Sequence, residues 1–116
     1  MLAEIAHHLV GFVQLQLRTE HSAVSSPNAA EVVRLYVLER FTSTGIGTSL
    51  LARAEALAVA EGAQHAWLTA WVGNTRAMAF YRRRGYIELG PTTYVFQGET
   101  IENRLFFKAL TVRAVH

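Results

Sequence analysis

Two glycines separated by one residue follow a run of small hydroxyl side chains in the segment ERFTSTGIGTSLL, residues 39–51. A strand that enters a helix through a glycine turn points free backbone N–H groups outward, and the helix dipole adds partial positive charge there. Gly45 and Gly47 therefore predict a site for an anion, usually a phosphate; the alternative is a turn in which glycine only permits tight packing. The hydroxyl residues that could add donors are Thr42, Ser43, Thr44 and Thr48.

Two common phosphate-binding motifs do not fit this turn. The dinucleotide fingerprint G-x-G-x-x-G/A needs a small residue where the chain has Leu50. The nucleotide P-loop ends in G-K-[ST], whereas the single lysine of the chain is Lys108. Taken alone, the glycine pair does not specify which anion binds.

A second segment whose residues could take part in catalysis or binding is NTRAMAFYRRRGY, residues 74–86. Asn74 is a favoured N-cap residue, and we predict a helix from Thr75 to Arg84 that ends at Gly85. Tyr81 lies seven residues after Asn74, so the two side chains share one helix face, two turns apart. Phe80 points to a neighbouring face and is expected in the core.

The elements that must position these segments follow from hydrophobic periodicity. Strand patterns are GFVQLQLR, EVVRLYVL, HAWLTAWV and the closing group YIEL, TTYVFQ and NRLFFKAL, whose last two members predict a hairpin around Gly98. Residues 1–10 are expected to pair with the first of these strands through a turn near Gly11. Apolar residues at helical spacing from Ile46 to Ala58 predict the first helix, which ends at Gly62. The predicted order is β-β-β-α-β-α-β-β, a single α/β (α+β) domain over residues 1–116.

Composition limits the function further. The chain has 116 residues, 51% of them hydrophobic, and no cysteine, which excludes disulfides and thiolate nucleophiles. It has no aspartate, so glutamate must supply any carboxylate chemistry. A net charge of +2 gives no reason to expect nucleic acid, and no apolar run approaches the roughly 20 residues that span a bilayer. The N-terminal residues lack the pattern of a secretory signal peptide, so we expect a cytoplasmic protein without a membrane partner. The histidines are scattered along the sequence, so we expect no metal site.

The ordered segments resemble the GNAT acetyltransferase superfamily over nearly the whole chain. The resemblance rests on LVGFVQL, LYVLERFTSTGIGTSLL, NTRAMAFYRRRGY and a closing strand pair that ends in RLFFKAL. It implies a mixed, mostly antiparallel sheet with two main helices. It also implies acetyl-CoA as co-substrate, with the pyrophosphate of coenzyme A on the residue 42–48 turn and the pantetheine arm along the backbone of Val37 and Leu38. Asn74 would touch the same arm as well as cap its helix, and Ile46 would contribute from the turn.

The turn departs from the pattern of that superfamily, which usually begins with Gln or Arg. Here the position is Thr42, and Ser43 stands where glycine is common. Thr42 has no long side-chain donor, so Arg40 or an arginine of the second helix would have to compensate. The run Arg82–Arg84 is either a solvated helix face or a contact for the 3′-phosphate of coenzyme A.

The resemblance implies N-acetylation of a primary amine by direct attack on the thioester. Tyr81 matches the tyrosine that protonates the departing thiolate; the alternative is a tyrosine that covers the core. Glu31 matches a position that some members use as general base, with Glu39 or a water chain as alternatives. Trp67 and Trp71 share a strand face and are expected in the core, or as one wall of the acceptor cleft.

The usual strand and two helices that precede the first hairpin in this superfamily are missing from the sequence. We therefore expect one of three situations: the chain is truncated, a partner subunit completes the acceptor cleft, or the acceptor site is open. We also expect a homodimer, because self-association would cover exposed apolar surface. The competing functions are a non-catalytic acyl-CoA-binding module, a truncated inactive acetyltransferase, and an α/β domain without a ligand. The sequence does not identify the acceptor amine.

Overall fold

A computed structural model shows one mixed sheet with both helices packed against it. It describes residues 2–5, 8–19, 21, 24, 28–42 and 44–110. The predicted element order is confirmed, with a short 3-10 turn at Glu39–Phe41 added before the first helix. The elements are β1 (Leu2–Ile5), β2 (His8–Gln16), β3 (Ala29–Val37), α1 (Ile46–Ala60), β4 (His65–Trp71), α2 (Thr75–Arg83), β5 (Ile87–Phe96) and β6 (Glu99–Ala109).

The six strands form a sheet in the order β1-β2-β3-β4-β6-β5. All neighbouring pairs are antiparallel except β3 and β4, which run parallel. A parallel pair needs a crossover, and α1 provides it between these two strands. The predicted hairpin of the last two strands is confirmed, since β5 and β6 pair from Phe96↔Glu99 onward.

The main core lies between the sheet and the two helices. Leu50, Leu51, Ala54 and Ala58 form the buried stripe of α1, as the periodicity predicts, whereas Leu57 of the same predicted stripe is 44% exposed. α2 adds Met78 and Tyr81, and β6 adds the fully buried Phe106. Within the described residues, no helix is long and apolar enough to cross a bilayer.

The predicted turn near Gly11 is wrong. Gly11 lies inside β2, opposite Val37 of β3. A Cβ at this position would lie 2.7 Å from the carbonyl oxygen of Tyr36, so glycine is needed for close strand approach and not for a turn. The last pair between β1 and β2 is Ile5↔His8.

Trp71 also departs from its predicted place. Trp67 is buried at 6% exposure and donates its indole N–H to the carbonyl of Thr19 at 3.1 Å, whereas Trp71 is 59% exposed. The two share a strand face, but only Trp67 is covered there, by Val24, Ala29 and Leu105 and by the ring of His21 at 5.1 Å. Pairing between β3 and β4 ends at Glu31↔Trp67, so no strand lies beside β4 on that side at Trp71.

Candidate active site

The early end of the β3–β4 pairing opens a gap in the middle of the sheet. The two strands pair only from Ala29↔His65 to Glu31↔Trp67, although β3 continues to Val37 and β4 to Trp71. The N–H of Leu38 donates to the carbonyl of Val10 at 2.8 Å, which makes the adjacent Gly11↔Val37 pair a non-hydrogen-bonded one. Antiparallel alternation then directs the backbone groups of Val37 and Leu35 away from β2 and into the gap.

A β-bulge in β3 sets which side chains face each side of the gap. Gln14 pairs with Arg34 and Leu15 pairs with Val32, so Val33 is the extra residue. The bulge lets Val32 and Leu35 both pack on the helix side of the sheet despite their odd spacing. The bulge thereby turns Arg34 and Tyr36 toward the opposite face. Bulges frequently re-aim side chains beside active sites.

On the helix side lies a cleft of about 510 Å³, which we call the turn cleft. It runs from the N-terminus of α1 to α2. Gly45, the N-cap of α1, adopts a left-handed φ of 89° and has no side chain to cap the first N–H groups. Those N–H groups therefore remain available to an anion. The lining residues are Leu35, Tyr36, Val37, Thr42, Gly45, Gly47, Thr48, Asn74, Arg76, Ala77, Phe80, Tyr81, Arg83 and Arg84.

Arginines of α2 and its C-cap give the turn cleft its positive charge. The guanidinium of Arg76 donates to the Oγ1 of Thr42 at 2.7 Å, and that of Arg84 reaches the Oγ1 of Thr48 at 3.5 Å. Arg84 also lies 5.9 Å from the ring centre of Phe80. Its Nε is buried and has no hydrogen-bond partner among the described residues. A buried donor without an acceptor costs free energy, so this N–H is suited to an anionic ligand.

The basic run Arg82–Arg84 is divided between a salt bridge and the turn cleft, and a contact with the 3′-phosphate of coenzyme A stays a prediction. Arg82 pairs with Glu88 at 2.7 Å and is not among the described residues that line the cleft. Arg83 and Arg84 do line it. The arginines that line the cleft thus come from α2 and its C-cap residue.

Tyr81 and Asn74 lie where the turn cleft passes through the gap. Tyr81 is only 9% exposed, with the rings of Phe80 and Tyr86 at 5.4 and 5.8 Å. Burial raises the pKa of Tyr81 to about 12, so its hydroxyl is neutral throughout the physiological range. The N-cap role of Asn74 is confirmed, because its Oδ1 accepts the N–H of Ala77 at 3.0 Å.

On the other side of the gap lies a second cleft of about 450 Å³, which we call the aromatic cleft. It shares five lining residues with the turn cleft, so the two clefts meet between the diverging strands. The aromatic cleft is lined by Phe12, Val32, Val33, Arg34, Leu35, Tyr36, Thr69, Ala70, Trp71, Asn74, Ala77 and Tyr81.

Most sequence-predicted site residues gather around the turn cleft, while four described ones, Glu31, Leu38, Thr44 and Ile46, do not line it. The backbone of Leu38 is already engaged, since its N–H donates to Val10 and its carbonyl accepts from Phe41 at 2.8 Å. Thr44 is exposed and donates its hydroxyl to the carbonyl of Phe41, and the side chain of Ile46 packs on the core. Ser43 lies outside the described residues. Those that line the cleft are Val37, Thr42, Gly45, Gly47, Thr48, Asn74 and Tyr81.

Glu31 lies at the closed end of the gap and lines neither cleft. It is half-buried, and burial raises the pKa of its carboxyl group, an effect that the nearby His21 partly opposes. The side chain of the alternative base, Glu39, is not described. In the part of the chain that the structure describes, no three histidine or carboxylate side chains gather as metal ligands.

Sequence reasoning did not name Leu35 or Arg34, and it anticipated Arg76 only as one of the second-helix arginines that could compensate for Thr42. Leu35 could have been found by strand alternation from Val37, since both present their backbone to the same side. Arg76 is two residues after the Asn74 cap, in the helix turn nearest the glycines. Arg34 reaches the aromatic cleft because of the bulge, for which the sequence gives no signal.

Three comparisons place this geometry among known proteins. The model of the acetyltransferase (GNAT) family matches residues 1–86. An uncharacterized N-acetyltransferase of Lactobacillus delbrueckii subsp. lactis is 26% identical over 102 residues, which cover 88% of this chain and 59% of that protein. The chain thus spans less than two thirds of the length of this curated relative.

Solved structures share the fold. A GCN5-related N-acetyltransferase from Rhodopseudomonas palustris is 26% identical, with a TM-score of 0.72, over 94% of this chain and 59% of that one. Naa20 of Chaetomium thermophilum, solved in complex with a bisubstrate analogue, is 22% identical, with a TM-score of 0.81, over 94% of this chain and 64% of that one. The family match covers both the glycine turn and the helix that carries Asn74 and Tyr81, and the chain belongs to the GNAT acetyltransferase family.

Proposed function

We propose that this chain is an N-acetyltransferase that moves an acetyl group from acetyl-CoA directly to a primary amine. The observation that carries the proposal is the meeting of the two clefts at Tyr81 and Asn74 between the diverging strands. A direct transfer needs two ligands that approach one point from different sides. A module that only binds acyl-CoA would need the turn cleft alone.

The turn cleft suits the phosphates and the arm of coenzyme A. The first N–H groups of α1 and the guanidinium groups of Arg76 and Arg84 are suited to the phosphate oxygens. The backbone groups that Leu35 and Val37 direct into the gap are suited to the amides of an extended arm, as in strand addition. When bound, acetyl-CoA supplies the thioester carbonyl that the amine attacks.

The gap also offers donors for the charge that develops during transfer. The carbonyl oxygen gains negative charge as the amine adds, and backbone N–H groups of β3 beyond the bulge at Val33 are candidates to stabilise it. Tyr81 is the candidate donor to the departing sulfur. Since its pKa is about 12, complete proton transfer to a thiolate whose thiol has a pKa of about 8.5 is uphill by roughly 5 kcal/mol. We infer that Tyr81 stays protonated and donates a hydrogen bond to the sulfur as the carbon–sulfur bond breaks. CoA then leaves as a hydrogen-bonded thiolate, and the proton that the amine releases passes through water to the base.

Glu31 stays the candidate base, acting through water because it lies outside both clefts. Its raised pKa is suited to a group that must accept a proton near neutral pH. The homodimer and the cytoplasmic location also stay predictions.

The test is release of free CoA thiol from acetyl-CoA in the presence of a panel of primary amines, with the acetylated amine identified by mass spectrometry. Amine-dependent thiol release at one equivalent per acetylated product supports the proposal. Stoichiometric binding of acetyl-CoA with no transfer to any amine would instead identify a binding module.

A further inference from the structure

We infer that the acceptor is a small primary amine that carries a carboxylate beside an apolar, preferably aromatic, group, and that Arg34 binds the carboxylate. This inference rests on the proposed function, because it assigns the aromatic cleft to the acceptor. It adds a chemical class and a specificity residue to that assignment.

The charge of the aromatic cleft favours an anionic group. Among the described residues that line it, Arg34 is the only charged one. Arg34 is exposed, and none of the carboxylates whose side chains the structure describes lies within ion-pair distance of its guanidinium. A cleft with a cation and no carboxylate repels polyamines and other polycationic acceptors. A planar guanidinium is well suited to bind a carboxylate through two parallel hydrogen bonds.

The walls of the cleft favour an apolar group. The rings of Phe12 and Tyr36 lie 5.8 Å apart on one rim, where Tyr36 is 50% exposed. Trp71 lies on the other rim and is 59% exposed, although its strand neighbour Trp67 is buried. Large aromatic side chains contribute most when a partner removes them from water. A cleft of about 450 Å³ is in the usual size range for a small-molecule site.

The order of residues along β3 orients the acceptor. Arg34 lines only the aromatic cleft, whereas Tyr36, two residues farther along, lines both clefts. Two residues of extended strand span about 7 Å. The long side chain of arginine can span a distance of this order, so a carboxylate bound by Arg34 can lie close to the junction of the clefts at Tyr36 and Tyr81. The amine of an amino acid is one carbon away from its carboxylate and would then lie at the junction.

The test compares phenylalanine, phenylalaninamide and spermidine as acceptors for the wild-type chain and for Arg34→Gln. We expect the wild type to prefer phenylalanine over its amide, and Arg34→Gln to reduce that preference by roughly tenfold or more while leaving acetyl-CoA affinity unchanged. The ratio of the rate with phenylalanine to the rate with phenylalaninamide is compared between the two proteins, so the different intrinsic reactivity of the two amines cancels. Arg53→Gln is the matched control, since Arg53 is an exposed arginine of α1 that lines neither cleft.

A second readout does not depend on turnover. Trp71 lies in the cleft, so phenylalanine added to the CoA-bound protein should change tryptophan fluorescence, and Trp71→Phe should abolish the change. An unchanged ratio in Arg34→Gln, a preference for spermidine, or normal acetyl-CoA binding with neither transfer nor fluorescence change would overturn the inference. Failure to bind acetyl-CoA at all would overturn the proposed function instead.

Discussion

The guanidinium of Arg76 donates a 2.7 Å hydrogen bond to the Oγ1 of Thr42 and so joins the first turn of α2 to the turn that precedes α1. Thr42 occupies the position where the superfamily usually has a long polar or cationic side chain. The structure thus places a cation at this position from a different element. Both residues line the turn cleft, so under the proposed function the contact should influence cofactor affinity.

Removal of the Arg76 side chain should weaken cofactor binding. We expect Arg76→Ala to raise the Kd for acetyl-CoA by about tenfold, because one charge-assisted contact to a phosphate is lost. Isothermal titration calorimetry measures the effect. In the same background, Thr42→Arg should restore most of the affinity by supplying the cation from the turn itself.

Arg53→Ala is the control for loss of positive charge as such, because Arg53 does not line the turn cleft. Equal weakening by Arg53→Ala and Arg76→Ala would show that overall charge, and not the Arg76–Thr42 contact, governs affinity. Failure of Thr42→Arg to recover binding would contradict the compensation between the two elements.

Substitution of Gly47 should affect the stability of the fold and the affinity for acetyl-CoA in different ways. A Cβ at Gly47 would lie 3.5 Å from Phe80, which is ordinary contact, and the residue is helical. Gly47→Ala should therefore keep or raise stability, by up to about 1 kcal/mol, because alanine restricts the unfolded chain and favours helix. The added methyl group should nevertheless obstruct close approach of the pyrophosphate and raise the Kd. Thermal unfolding and calorimetry on one preparation test both effects, and loss of stability with unchanged affinity would contradict this reading.

Replacement of Tyr81 by phenylalanine should lower kcat without a matching loss of cofactor affinity. A positioned acid typically contributes about 100-fold or more, so we expect kcat to fall by that order while the Kd for acetyl-CoA changes less than about threefold. Tyr86→Phe is the matched control, since its hydroxyl donates to the Oε2 of Glu55 at 2.8 Å and lines neither cleft. Tyr86→Phe should cost about 1–2 kcal/mol of stability and leave kcat intact. Equal kcat values for wild type and Tyr81→Phe would show that the hydroxyl group of Tyr81 takes no part in the transfer step.

The ionised carboxylate of Glu31 should lower the free energy of unfolding at neutral pH. Burial raises the pKa of Glu31 in the folded state above its ordinary value of 4.5, so the folded protein binds this proton more tightly than the unfolded chain does. Its contribution to stability is fully present below pH 4.5 and is lost as the pH rises through the folded pKa. Glu31→Gln should therefore raise the melting temperature at pH 7 while it lowers kcat/KM.

The pH dependence of the rate gives the second test of Glu31. In the wild type, kcat/KM should rise with pH through the raised pKa of Glu31, and Glu31→Gln should remove that step. A stabilised variant with an unchanged pH–rate profile would assign the base role to water or another group.

The sequence predicts the element order and the glycine turn because both depend on local patterns. Apolar spacing from Ile46 to Ala58 and the Asn74 cap need no knowledge of distant residues. The exposure of Trp71 depends instead on where β3 and β4 stop pairing, which no local pattern records. Likewise, the bulge at Val33 brings Arg34 to the aromatic cleft, and a bulge depends on the partner strand as much as on its own residues. Leu38 was predicted to face the cofactor, but the β2–β3 register assigns its N–H to Val10.

Cofactor binding in the turn cleft is tested by calorimetric titration of the purified chain with acetyl-CoA, followed by CoA. We predict binding at one site per chain, weakened by Arg76→Ala and by Gly47→Ala. Absence of binding at millimolar ligand would show that the turn cleft does not hold the cofactor, and would contradict the acetyltransferase assignment for this chain.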